Sequence, residues 1–206
     1  MKKTFSDTLR VIFKGVLDPA AIALNRTGIT PITVTLLGVA GNALAGLLVA
    51  RGQVSWGGLV MLIVWPIDAL DGTMARLRGE ASDWGAFVDS VSDRYSELFV
   101  LGGLLYHFSY TSQNVLAVVA FAAAAGSVLV SYVKARAEAQ SFSAKEGLLT
   151  RAERYLVLGP ALLLNVPAVG VWIVAILANL TALQRILVVR AQAHSMAKKL
   201  MPQESK

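Results

Sequence analysis

Residues 68–76 read DALDGTMAR, and residues 85–93, after a short interval, read GAFVDSVSD. Asp68 and Asp71 are three positions apart and Asp89 and Asp93 are four apart, so each pair shares one face of a helix. Both segments lie in apolar surroundings, where ionisable side chains are costly and therefore indicate a functional site. Four converging carboxylates repel unless a cation lies between them or one keeps its proton. Such oxygen ligands suit a hard divalent cation, Mg²⁺ or Mn²⁺.

The composition is that of an integral membrane protein. Of 206 residues, 55% are hydrophobic and only 16% are charged, whereas soluble domains carry about 25% charged residues. Cysteine is absent, which excludes disulfides and thiolate metal sites. We interpret the net charge of +6 as one that attracts anionic headgroups and phosphates, and not as a sign of nucleic-acid binding. We therefore expect a single membrane domain over residues 1–206, in contact with membrane lipids and with no nucleic-acid partner.

The hydropathy pattern predicts an all-α integral membrane fold with six transmembrane helices. A helix needs about 20 residues to cross the hydrocarbon core, and six stretches reach or approach that length: 31–51, 55–77, 85–107, 114–136, 150–166 and 168–190. The fifth is the shortest and contains Pro160. Apolar positions from Phe5 to Leu17 recur at helical spacing among basic residues, which predicts an amphipathic interfacial helix over 1–27; a solvated leader helix is the alternative. The six-helix bundle is expected over 28–192 and a polar tail over 193–206.

Lys and Arg residues mark one side of this bundle. They cluster in the N-terminal leader, after the second and fourth spans and in the C-terminal tail, while the alternate connections carry only Arg51. Positive charge identifies the cytoplasmic side of a membrane. We therefore predict a multi-pass protein of the inner (cell) membrane, with both termini and the acidic segments on the cytoplasmic face.

The pattern D-x2-D-G-x2-A-R-x8-G-x3-D-x3-D is matched at every fixed position between Asp68 and Asp93. It resembles the signature of the CDP-alcohol phosphotransferases, integral membrane enzymes of phospholipid synthesis. The resemblance implies that Asp68, Asp71 and Asp89 bind a metal ion, Mg²⁺ or Mn²⁺, and that Asp93 is the general base. Asp93 lies one helical turn beyond Asp89, which suits a base beside the metal, and we count it as a fourth member of the metal-binding set. Any one of these acids can instead support the others without touching the metal, and the number of ions stays open.

Residues within and beside the signature are expected to bind the CDP-linked lipid. By resemblance, Gly72, Arg76 and Ser82 contact the CDP group, and the forked guanidinium of Arg76 suits a diphosphate. Gly72 and Gly85 have no side chain, so they permit the close approach of a nucleotide or of a neighbouring helix. Ala75 completes the fixed positions of the signature and is placed in the same group.

The stretch before the first span belongs to the same expected site. Thr30, Pro31, Ile32 and Thr33 occupy the place of a Thr-Pro-Asn-like stretch that contributes to nucleotide binding in the family. Ile32 departs from that pattern, which leaves one nucleotide contact in doubt. Thr30 and Pro31 also form a helix start, with Pro at the first helical position, and this reading stays open beside the other.

Three cations near the predicted cytoplasmic side, Lys134, Arg154 and Arg185, are expected to bind a phosphorylated acceptor, and Ser131 is placed with them. The runs SYVKARAE (131–138), RAER (151–154) and QR (184–185) resemble the branch of the family that uses inositol phosphate. Each cation can alternatively reach towards the membrane interface.

The family resemblance implies transfer of the phosphatidyl group from CDP-diacylglycerol to inositol phosphate, with release of CMP, and it also implies a homodimer. Two alternatives remain open: the same chemistry with another acceptor such as glycerol 3-phosphate, and a cation transporter. A transporter would more naturally hold its charges near mid-membrane, whereas these lie near one face.

Overall fold

The computed structural model describes residues 5–80, 82–144 and 147–200, and this part of the chain contains seven helices. Long apolar stretches bounded by Gly, Pro or charged residues form most of them, because an α-helix satisfies its own backbone hydrogen bonds in an apolar medium. The helices are α1 (Phe5–Arg26), α2 (Pro31–Ala50), α3 (Val54–Arg78), α4 (Asp83–Tyr110), α5 (Asn114–Glu138), α6 (Arg151–Leu163) and α7 (Pro167–Leu200). The all-α prediction is confirmed for the described residues, and each of the six predicted spans coincides with one of α2 to α7.

Four of these helices, α2, α3, α5 and α7, are long and apolar enough to cross a membrane. This is consistent with a multi-pass membrane protein. Helix α4 has 28 residues, but Asp89, Asp93, Arg94 and Glu97 interrupt its hydropathy. Helix α6 has 13 residues and is therefore about 20 Å long, short of the ~30 Å of hydrocarbon that a span crosses. The count of six spans stays a prediction.

The second half of α1 packs against α3. Ala21 is fully buried in a small apolar cluster with Val34, Leu70 and Met74. The amphipathic character predicted for 1–27 depends largely on residues 1–14 and 16, whose side chains the structure does not describe, so the interfacial placement stays a prediction. At the other terminus α7 runs to Leu200, so the helix continues into the segment predicted as a polar tail; residues 201–206 lie outside the described part.

Arg78, at the last position of α3, ties the connection between α1 and α2 to that helix end. Its Nε donates to Asn25 Oδ1 at 2.7 Å, and one terminal nitrogen donates to the Ile29 carbonyl at 2.7 Å. The Asn25 side-chain amide in turn donates to the Met74 carbonyl at 3.4 Å. Polar as well as apolar contacts therefore hold the end of α1 against the C-terminal end of α3, which is the end predicted to face the cytoplasm.

Small residues set the distances between the membrane helices. On the α2–α4 contact, a Cβ added to Gly103 would lie 2.2 Å from the Gly46 carbonyl oxygen, so the two backbones touch. On the α5–α7 contact, Gly126 is covered by Asn179, whose side-chain amide donates to the Ala122 carbonyl at 3.0 Å. Such interfaces of small residues are typical of helices packed in a membrane.

A sharp turn brings the two halves of the signature to the same end of the bundle. Helix α3 is closed by Gly79, the residue after Arg78, which has a left-handed φ of 68° that glycine adopts without strain. Helix α4 begins four residues later, at Asp83, and Ser82 caps it by accepting a hydrogen bond from the Gly85 amide at 3.1 Å. Because the turn is so short and both helices pack against α2, the end of α3 and the start of α4 lie at the same end of the bundle, where their acids interact.

Candidate active site

The four acids of the signature form one electrostatic group. Asp68 and Asp71 on α3 interact with each other, and Asp89 on α4 interacts with Asp68, Asp71 and Asp93. The side chain of Asp68 is 10% exposed and that of Asp93 is 17% exposed, so the group lies in a half-closed crevice. The structure thus brings together the acids that the helical spacing placed on two separate faces.

Helix α6 supplies a cation that the sequence did not assign to this group. One terminal nitrogen of Arg151 donates to Asp68 Oδ2 at 2.9 Å, and the other forms an ion pair with Asp93 Oδ1. The guanidinium also lies over the ring of Tyr155, 5.3 Å from its centroid. Arg151 therefore bridges α3 and α4. The only feature of the sequence that pointed to this residue was its place as the first arginine of the RAER run.

Helix α2 supplies two further contacts that the sequence analysis missed. The hydroxyl of Thr35 donates to Asp71 Oδ2 at 2.5 Å, and the other oxygen of Asp71 accepts from the Gly72 amide at 2.5 Å. Gly38 lies against Asp68, since a Cβ added there would be 1.9 Å from Asp68 Oδ1. Thr35 and Gly38 are three positions apart and therefore share one helix face. This spacing was the only sign in the sequence that the two residues meet the same neighbour.

The acids fit a divalent cation in ligand type and charge, because all their donor atoms are carboxylate oxygens. Within the described residues, however, no three His, Asp or Glu side chains converge as a metal-binding group. Arg151 takes one oxygen from Asp68 and one from Asp93, while Asp71 is turned towards Thr35 and the backbone of its own helix. Binding an ion at this group therefore requires these carboxylates to exchange their present partners.

The residues expected to bind the CDP-linked lipid surround the same end of the bundle. Arg76 is exposed and donates to Thr73 Oγ1 at 3.0 Å, so its guanidinium has donors left for a ligand. A Cβ on Gly72 would lie 3.3 Å from Arg76, and one on Gly85 would lie 3.3 Å from the Ser82 hydroxyl. Ala75 acts through its carbonyl, which accepts from the Glu80 amide at 3.0 Å and helps to end α3.

The stretch from Thr30 to Thr33 forms the start of α2. The Thr30 hydroxyl accepts from the Thr33 amide at 3.2 Å and Pro31 is the first helical residue, so the capping role is present. Ile32 and Thr33 are exposed. Thr35, one turn further, touches Asp71, so this exposed helix start lies beside the acidic group.

Two of the residues expected to bind the acceptor are buried arginines. Arg154, 1% exposed, forms a forked ion pair with Glu97 on α4, with Nε to Oε1 at 2.5 Å and a second bond at 2.9 Å. Arg185 is also buried and donates to the Val130 carbonyl at 2.5 Å. Arg154 and Arg185 are close enough to repel each other. Glu97 was not singled out from the sequence, although it follows Asp93 by four positions on the same face.

Lys134 and Ser131 complete this second group on α5. Lys134 is half-exposed and pairs with Glu138 at 3.9 Å, and Glu138 also attracts Arg185. Ser131 follows Val130, whose carbonyl accepts from Arg185. The four residues predicted for the acceptor thus come from α5, α6 and α7 and lie at one end of the bundle, next to the acids through the first turn of α6.

The fold, the acidic signature and the neighbouring cations agree with one protein family. The sequence profile of the CDP-alcohol phosphatidyltransferases matches residues 28–191, and the chain belongs to this family. It is therefore an enzyme, a CDP-alcohol phosphotransferase of phospholipid biosynthesis. The family is metal-dependent.

Within this family, the chain is similar to proteins that share one name. The chain is 40% identical to the phosphatidylinositol phosphate synthase of Streptomyces avermitilis over 200 residues, covering 89% of this chain and 82% of that protein. It is 37% identical to the synthase of the same name from Mycobacteroides abscessus, covering 88% and 86%.

Two solved structures of the Mycobacterium tuberculosis phosphatidylinositol phosphate synthase resemble the chain at 31% identity. One, with CDP-DAG bound, gives a TM-score of 0.79 and covers 84% of this chain and 93% of that one. The other, in complex with manganese and citrate, gives 0.80 and covers 84% and 88%.

Proposed function

We propose that the protein transfers the phosphatidyl group of CDP-diacylglycerol to inositol phosphate and releases CMP. The observation that carries the proposal is the meeting of two groups at one end of the bundle, the acids of α3 and α4 and the cations of α5, α6 and α7. The acidic group suits a metal-bound diphosphate, and the cationic group suits an acceptor that carries its own phosphate. Relatives named phosphatidylinositol phosphate synthases support the same reading.

Asp68, Asp71, Asp89 and Asp93 would hold the divalent cation, Mg²⁺ or Mn²⁺. When bound, such an ion supplies positive charge to the diphosphate and to the departing CMP. The chain adds its own contributions around this charge. Thr35 orients Asp71 through a short hydrogen bond, and Arg76, together with Gly72, Gly85, Ser82 and the Thr30–Thr33 stretch, would hold the CDP group.

Asp93 would act as the general base. It would accept the proton of an inositol hydroxyl as that oxygen attacks the phosphorus that carries the diacylglycerol. The bond between this phosphorus and the CMP oxygen breaks, and CMP leaves with the electron pair. The products are phosphatidylinositol phosphate and CMP. Holding a lipid-soluble and a water-soluble substrate at one crevice provides much of the rate enhancement, because it replaces a rare encounter with a fixed geometry.

Ser131, Lys134, Arg154 and Arg185 would hold the phosphate of the acceptor. Lys134, half-exposed, is the member most open to a ligand, whereas Arg154 is buried against Glu97. We therefore propose that Lys134 makes the larger direct contribution, and that Arg154 and Arg185, both buried, add positive charge from behind it.

The placement in the membrane is part of the same proposal. Six spans, an interfacial α1, and cytoplasmic termini and active site would let inositol phosphate enter from the cytoplasm while the lipid tails of CDP-diacylglycerol remain in the inner leaflet. The proposal also includes a homodimer.

The direct test is CMP release by the purified full-length protein. CDP-diacylglycerol is offered with inositol phosphate, glycerol 3-phosphate, inositol or serine, each with Mg²⁺, with Mn²⁺ or with a chelator. We expect CMP release that requires both the divalent cation and inositol phosphate, and a lipid product that contains inositol. If only glycerol 3-phosphate supports turnover, then glycerol 3-phosphate and not inositol phosphate is the acceptor. Ion flux without CMP release would contradict the proposed reaction.

A further inference from the structure

The guanidinium of Arg151 lies between the two halves of the acidic signature. It contacts Asp68 of α3 at 2.9 Å and Asp93 of α4 through its other terminal nitrogen. No other described cation bridges the two helices in this way: Arg94 approaches Asp93 only at 4.0 Å and instead donates to Ser90 of its own helix. One positive charge thus engages two carboxylates expected to bind metal.

The surroundings of Arg151 keep this side chain in a restricted place. The ring of Tyr155, one turn along α6, lies under the guanidinium, and the Tyr155 hydroxyl faces Asn42 Oδ1 at 3.4 Å in the interior of the bundle. The Nε of Arg151 is buried and has no hydrogen-bond partner among the described residues. The side chain is therefore held in place on one side and 29% exposed on the other, with its hydrogen bonds incompletely satisfied, which suits a group that exchanges partners.

We propose that Arg151 and the divalent cation compete for the same carboxylate oxygens of Asp68 and Asp93, so that Arg151 sets the affinity of the site for metal. The inference rests on the metal role proposed above for these two acids. It makes Arg151 a positioning residue: it holds the two acidic helix faces together and withdraws when the ion takes its place.

Two physical arguments support the competition. One oxygen of Asp68 and one of Asp93 are paired with the guanidinium, so these two oxygens have less electron density to offer an ion. In addition, two positive charges a few ångströms apart in a half-buried crevice repel strongly, because the local dielectric screens them less than water does. Both effects weaken metal binding as long as Arg151 stays between the acids.

The test is direct metal binding by the purified full-length protein in detergent, treated with a chelator and then dialysed. Free Mn²⁺ is measured by electron paramagnetic resonance during titration. We expect Arg151→Gln to bind Mn²⁺ about 10-fold or more tightly than the unchanged protein, within the usual range of coupling between two sites. Arg151→Lys, which keeps the charge but loses the fork, should fall between the two. Arg190→Gln, an exposed position on α7 that removes the same charge, serves as the control and should leave the Mn²⁺ affinity unchanged.

Equal or weaker Mn²⁺ binding by Arg151→Gln would overturn the competition and leave Arg151 with a purely structural role. Thermal unfolding of each variant shows whether it is folded, and if Arg151→Gln is not, then Arg151→Lys decides: an affinity no higher than that of the unchanged protein overturns the proposal. CMP release by the unchanged protein tests the reaction separately, so an active enzyme with unaltered variant affinities would reject this inference alone.

Discussion

Gly38 on α2 offers a way to move one carboxylate of the site without disturbing the fold. A Cβ at this position would lie 1.9 Å from Asp68 Oδ1, whereas real Cβ atoms do not approach closer than 3.0 Å. In Gly38→Ala the carboxylate oxygen must therefore shift by at least 1.1 Å. The clash falls on the end of a flexible side chain, so the helices need not separate.

The size of the effect follows from this displacement. A misplacement of about 1 Å in a catalytic group costs on the order of 100-fold in rate, which corresponds to about 2.7 kcal/mol of transition-state stabilisation. Stability should not fall in parallel, because alanine is a better helix former than glycine by about 1 kcal/mol. We therefore expect kcat/KM to fall about 100-fold while the Tm is maintained.

Initial rates of CMP release and thermal unfolding, measured on the same preparations, test this expectation. Gly102→Ala on α4 is the matched control, because a Cβ there meets no atom within 4 Å, and its activity should be unchanged. Retention of more than about one tenth of the activity in Gly38→Ala would show that Asp68 does not need its present position, and would refute the reasoning.

Three further perturbations address other parts of the site and the fold. Glu97→Gln leaves the guanidinium of Arg154 buried without its counter-charge, which costs about 3–5 kcal/mol and should lower the Tm by roughly 6–20 °C; an unchanged Tm would mean that the pair is not buried. Gly103→Ala forces a methyl group against the α2 backbone and should lower the Tm, whereas the neighbouring Gly102→Ala should not; equal Tm values for both would contradict the close helix contact. Asp93→Asn should abolish CMP release while binding of CDP-diacylglycerol, measured with labelled lipid, is retained; normal turnover would remove Asp93 from the role of base.

The positions of the helices could be predicted from the sequence because the apolar stretches are long and sharply bounded. The second predicted span, 55–77, and the observed α3, Val54–Arg78, differ by one residue at each end. The end of α7 could not be predicted in this way. Hydropathy falls after residue 190, but the following residues include good helix formers such as alanine, and the helix runs to Leu200.

The acidic group could be predicted because spacing within one helix fixes which side chains share a face. Contacts between helices depend on how each helix is rotated about its axis, which local spacing does not reveal. Arg151 and Arg154 illustrate this limit, because both are arginines in the first turn of α6. Only the rotation of α6 about its axis decides that Arg151 pairs with Asp93 and Arg154 with Glu97. Thr35 was missed for the same reason, since its contact with Asp71 belongs to the meeting of α2 and α3.

The hydrogen bonds of Arg78 to Asn25 and Ile29 connect the first helix to the helix that carries two of the acids. Arg78 is the last residue of the helix that carries Asp68 and Asp71, and its hydrogen bonds reach Asn25 in the last turn of α1 and Ile29, two residues before α2 begins. A tilt of α1 would therefore pull on the end of α3, and with it on the acidic pair, through these hydrogen bonds. With α1 at the membrane interface, as predicted, a change in the lipid leaflet would act on the geometry of the reacting centre.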